Sequence, residues 1–93
     1  MAKIVQFNAE GGISPFSTSV TAFGNVLVQN NDTAVHSVVW DAGSPASLLD
    51  SPANGQDIAP GCYVDFSLAG LPQGTFTFHD GHNDQNTGQI VVT

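Results

Sequence analysis

Residues 74–92 read GTFTFHDGHNDQNTGQIVV, and this stretch decides the fold. Phe76 and Phe78 alternate with Thr75, Thr77 and His79, the period of two that marks a half-buried strand. The run GQIVVT is a second strand, rich in β-branched residues. Between the two lie Asp80, Gly81, His82, Asn83, Asp84 and Asn86, residue types that make turns. Two strands joined by such a loop form a hairpin. The loop also gathers side chains able to ligate a cation, so fold and chemistry meet in it.

The same punctuation recurs along the chain. KIVQF, STSVTAF, NVLVQN, VHSVVW and CYVDFSL are short β-branched or aromatic runs, separated by GGISP, NDTA and LPQG turns. In CYVDFSL, Tyr63, Asp65 and Ser67 share one face, and Val64, Phe66 and Leu68 the other. The excursion DAGSPASLLDSPANGQD has room for one helical turn at SPASLL, with Ser44 as its cap and Pro45 in first position. No helical period lasts beyond two turns, and there is no repeat or linker. Seven or eight strands at this spacing, with no pair of cysteines, indicate an all-β sandwich, a single domain over residues 1–93. The expected core is Phe7, Val26, Val28, Val38, Phe66, Phe76, Phe78 and Val91.

Composition narrows the function. A chain of 93 residues has surface enough to bury for one core, about 60–65% of what it exposes unfolded. Charged residues are only 10% of the chain, with one base against eight acids and a net charge of −7. Phosphate neutralisation needs Lys and Arg, so nucleic acid is an unsuitable partner, and anionic membrane surfaces equally so. The acidic balance suits a metal ion, a cationic protein partner, or solubility alone. No apolar run reaches spanning length, so no membrane insertion is expected. The N-terminal MAKIVQF carries no signal-peptide core. Cys62 is the single cysteine, so no internal disulfide forms.

The order of landmarks resembles the cupredoxins, the family of plastocyanin and amicyanin, over nearly the whole chain. ISP at residues 13–15 is similar to the family's Phe-x-Pro turn, and Val20 and Gly24 stand near its next strand and turn. VLVQNNDTAVHSVVWD resembles the segment that delivers the first copper histidine. APGCYVDFSL resembles the opening of the penultimate hairpin, GTFTFH the Gly-Thr-Tyr-x-Tyr-His run, and TGQIVV the closing strand. The resemblance implies a Greek-key β-sandwich of cupredoxin type and an extracytoplasmic protein. It implies electron transfer only if the ligands persist. A blue-copper site takes two imidazoles, one thiolate and a weak axial thioether. Aligned without gaps, His36 falls on the first histidine, but Asp80 falls on the cysteine, Asn83 on the second histidine and Asn86 on the methionine. A slip of one residue would place His79 and His82 on ligand positions, at the cost of a bulge, because a slip reverses every side chain.

The candidate metal ligands are therefore His36, Asp80 and His82. Imidazole and carboxylate suit Cu(II), Zn(II) or Ni(II) without the covalency of a blue site. Asp80 and His82 have the same strand parity, so a regular extension of the strand would turn both to one side. The competing reading makes His36 a residual histidine at the sandwich end and His82 a solvated loop residue. The oxygen-rich loop also resembles a calcium loop in composition, but not in spacing. Parity points His79 outward, Trp40 is expected to pack at the sandwich end, and Cys62 to be a free, partly buried thiol at the start of its strand.

No nucleophile with a positioned base, phosphate loop or paired glutamates appears, so an enzyme is not expected. The leading expectation is a cupredoxin-like protein with a degenerate copper site, binding Cu(II) or another divalent metal through His and Asp ligands rather than carrying electrons. The alternative is a metal-free structural or protein-interaction module on the same scaffold. A second alternative is an electron-transfer copper protein.

Overall fold

The computed structural model describes residues 3–9 and 12–93, so Gly11 of the GGISP turn lies outside the described residues. In chain order the strands are β1 (Lys3–Phe7), β2 (Ile13–Ser14), β3 (Ser17–Val20), β4 (Asn25–Asn30), β5 (His36–Trp40), β6 (Asp57–Ile58), β7 (Tyr63–Ser67), β8 (Gly74–Asp80) and β9 (Asn83–Val92). One short helix, α1 (Ala46–Leu49), sits between β5 and β6. The strands form two sheets, β2-β1-β4-β7 and β3-β9-β8-β5-β6. This is the β-sandwich expected from the sequence, with two strands of only two residues added.

Alternation builds the core. Val26 and Val28 of β4 are buried between half-buried neighbours, and Val64 and Phe66 of β7 between exposed ones. Val5 and Phe7 complete the inner face of this sheet. Val38, Trp40, Phe78, Ile90 and Val92 face them from the second sheet. Trp40 meets Phe66 and Phe78 edge-on, with ring centroids 5.4 and 5.1 Å away. Burying a side chain of this kind contributes about 1.5–3 kcal/mol, so these residues carry most of the fold.

Several details depart from the sequence reading. Ile90 and Val92 are buried, while Val91 is only half-buried. The register explains it: Ile90 lies opposite Phe76 and Val92 opposite Gly74, so even-numbered residues of β9 face inward. Phe76 is half-buried and packs against the core rather than within it. Ser44 does not cap the helix. Pro45, with a non-helical ψ of 151°, occupies the cap position, and its carbonyl accepts from the Leu48 and Leu49 N–H groups. Cys62 is exposed rather than partly buried.

Gly88 makes room for the ring of Phe78, its cross-strand partner in the same sheet. A side-chain carbon there would stand 2.7 Å from the Phe78 ring. The topology carries the ends of β1, β4 and β8 and the start of β5 to one pole of the sandwich. Phe7, Asn30, His36 and Asp80 meet there.

Candidate functional site

The NNDTA turn after β4 builds the first wall of the pole. Asn30 is fully buried, and its amide donates to the carbonyls of Ala34 and Ile58, both at 2.8 Å. Its Oδ1 accepts the Asp32 N–H at 2.9 Å. These bonds satisfy a buried amide and fold the turn back on itself. The fold-back aims Asp32 at the start of β5, where its Oδ2 accepts from His36 Nε2 at 2.7 Å.

The second wall comes from β8. Asp80 is fully buried, and its Oδ2 lies 2.5 Å from His36 Nδ1. Its Oδ1 accepts the N–H groups of His82 at 2.9 Å and Ser37 at 3.2 Å. Phe7 closes the floor: its ring stacks on the His36 imidazole, centroids 4.6 Å apart and planes 4° from parallel. His36 is thus held by a carboxylate at each ring nitrogen and an aromatic face beneath.

Protonation follows from this geometry. An ionised carboxylate only accepts, so both ring nitrogens of His36 must donate, and the ring is an imidazolium. Burial works against that charge, but the hydrogen bonds that the ring donates to Asp32 and Asp80 outweigh it and raise the pKa above 6.5. The Asp32 carboxyl is lowered below 3.8, chiefly by its bond from His36 and then by the Thr33 N–H. For Asp80 burial pushes upward, and the His82 N–H, the His36 ring and the Ser37 N–H together hold the carboxyl below 3.8. Two carboxylates and one cation leave the cluster with a net negative charge. The stacked Phe7 ring adds a cation–π contact.

The three residues expected to converge do not all do so. His36 and Asp80 are in direct contact, but His82 contributes only its backbone N–H to Asp80. Its ring turns away to Asp57 of β6, with Nε2 2.7 Å from Oδ1. The shared parity of Asp80 and His82 fails because β8 does not continue. Asp80 pairs with Asn83 across a two-residue turn of Gly81 and His82. A side-chain carbon at Gly81 would stand 2.3 Å from Ser37 Oγ, so the turn lies tight against β5. The loop is also shorter than it reads in the sequence, since β9 begins at Asn83. The β8–β9 register does shift between His79 and Asp80, but His79 pairs with Thr87 and its ring contacts Asp41 at 2.8 Å, so the shift does not bring it to His36.

This donor set does not fit a blue-copper centre. The position of the thiolate holds Asp80, and Cys62 lies exposed in the turn before β7. Nor do Asp32 and Asp80 suit a single ion: they sit at different edges of the His36 ring, one at each nitrogen, and the two nitrogens point apart. Among the described residues no group of three or more His, Cys, Asp or Glu side chains is arranged to hold a metal ion. Asp32, Phe7 and Ser37 are site residues that sequence reasoning did not include. Asp32 had one signal, a carboxylate four residues before His36 across a tight turn.

No protein-family model matches the chain, and no curated protein matches it in sequence. Solved structures match it closely in shape. Amicyanin from Paracoccus versutus superposes with a TM-score of 0.81 at 13% identity, over 99% of this chain and 81% of that one. A purple cupredoxin from Nitrosopumilus maritimus gives 0.79 at 13% identity, over 98% and 99%. Plastocyanin from Dryopteris crassirhizoma gives 0.72 at 21% identity, over 97% and 99%. Such identities speak for architecture and not for activity. The chain has the cupredoxin fold.

Proposed function

We propose that this chain is a metal-free protein-interaction module on a cupredoxin scaffold, in which an imidazolium held between two carboxylates stands where a copper centre would be. The observation that carries the reading is the double engagement of His36 by Asp80 and Asp32. A ring nitrogen binds a metal only through a free lone pair, and here both nitrogens hold protons toward acids. A metal would have to displace a proton and break a buried ion pair. In this reading the cluster fastens the turn after β4, the start of β5 and the end of β8 into one rigid pole. The net charge of −7 favours a cationic protein partner.

The test is titration of tag-free protein with Cu(II) and Zn(II) by calorimetry, beside ¹⁵N spectra of the histidine rings. Both His36 ring nitrogens should carry protons near neutral pH, and neither metal should bind stoichiometrically. Tight binding that disappears in both His36→Ala and His82→Ala would favour the degenerate metal site instead. An intense visible absorption with Cu(II) would return the chain to the electron carriers, because that transition needs a thiolate.

A further inference from the structure

The first sheet ends at β7, which pairs with β4 on one side and, among the described residues, with no strand on the other. The ladder shows which of its groups face outward. Asn30 N–H donates to the Cys62 carbonyl, and Leu68 N–H donates to the Gly24 carbonyl, so even-numbered residues at both ends of β7 bond to β4. In an antiparallel ladder the bonded positions alternate. The N–H and C=O groups of Tyr63, Asp65 and Ser67 therefore point away from the sheet. The side chains of these three residues are exposed as well, Tyr63 by 61%.

An open edge is normally blunted by charged side chains, Lys above all, by Pro or by a bulge. β7 reads YVDFS and has neither Lys nor Pro, and its pairing with β4 is regular throughout. Its one charge is Asp65. That charge decides which occupant suits the edge. A second copy joined antiparallel about Asp65 would set two Asp65 side chains against each other, which is unfavourable. A basic segment would instead place its charge beside Asp65, drawn in by the acidic surface of the whole chain.

We propose that β7 takes up an extended, basic segment of another protein as the fifth strand of the first sheet. Main-chain bonds to Tyr63, Asp65 and Ser67 give the affinity, and Asp65 with the exposed Tyr63 ring gives the preference for alternating basic and apolar residues. The proposal rests on the reading of the chain as an interaction module and names the mode and the partner chemistry.

The probe is a blocked nonapeptide of alternating lysine and valine, added to ¹⁵N-labelled protein, with a glutamate–valine twin as control. The lysine peptide should slow hydrogen exchange at the Tyr63, Asp65 and Ser67 amides by about tenfold or more, and the twin should not. Asp65→Lys, an exposed change, should weaken the lysine peptide by about tenfold and admit the glutamate peptide. Shift changes spread around Asp57 and Asp84 with those three amides unprotected would overturn the proposal and mean adsorption by charge. A parent protein that dimerises through β7 in sedimentation would overturn it too. The copper titration fails separately: metal binding with protected β7 amides would sink the metal-free reading and leave this one standing.

Discussion

His36 and His82 make the same contact in two settings. Each ring nitrogen meets a carboxylate oxygen, at 2.5 Å for His36 with Asp80 and 2.7 Å for His82 with Asp57. The side chains of the first pair are 9% and 0% exposed, those of the second 46% and 68%. In the first, water is excluded, each charge depends on the other, and a second carboxylate and an aromatic ring enclose the cation. In the second, water can replace either partner. Distance alone would rank the two pairs as near equals, but burial makes one of them a structural joint and leaves the other a surface contact.

The largest effect should come from breaking the buried joint. Asp80→Ala leaves His36 beside Phe7 with one carboxylate, and strands the N–H groups of Ser37 and His82. Removing one member of a buried pair costs about 3–5 kcal/mol. Urea denaturation should show a loss on that scale. A loss below about 1 kcal/mol would place the His36 pair with the surface contacts and end the comparison.

The turn that separates the two histidines comes next. Gly81→Ala would drive a methyl group into Ser37 Oγ and against Val39. Overpacking of this kind costs about 1–3 kcal/mol. Because the same turn presents the His82 N–H to Asp80, the ¹⁵N signals of the His36 ring should also move. A change in stability with the ring signals unmoved would uncouple the turn from the joint.

How much of this was legible beforehand can be argued residue by residue. Short β-branched and aromatic runs, several of them with a period of two, placed seven of the strands. The two-residue strands β2 and β6 are too short to show a period. Val91 was assigned to the wrong face because GQIVV has three apolar residues in a row, and only pairing with β8 sets its parity. At the site, His36 and Asp80 could be named from the resemblance, because they align with the family's first histidine and its cysteine. Asp32 could not, since its direction depends on Asn30, whose burial and bond to the distant Ile58 carbonyl are set by the fold. His82 was misplaced because strand parity was carried across a turn whose tightness depends on Ser37, a residue of another strand.

Acidity separates the pairs further. The His36 pKa is raised, so its share of stability is fully present below about 6.5 and is lost as pH rises through the folded value. Asp32 and Asp80 are lowered, so their share is present above about 3.8 and lost as pH falls through their folded values. Stability should therefore peak between about pH 4 and 6.5. Above it the fall is at most about 1.4 kcal/mol per pH unit for one proton. His36→Gln should remove the His36 part of that alkaline fall. An unchanged alkaline limb in the variant would assign the fall to repulsion across the acidic surface instead.

The smallest effect is expected at the exposed pair, and it controls for all the others. His82→Ala deletes a ring that touches Asp57 and keeps the backbone N–H that Asp80 accepts. An exposed ion pair is worth about 0–1 kcal/mol, so urea midpoints should move little. The His36 ring signals should stay where they are. A loss near that of Asp80→Ala would mean that the Gly81–His82 turn is held by its side chain rather than by its backbone. Exposure would then be a poor guide to which His–Asp contact fastens this pole.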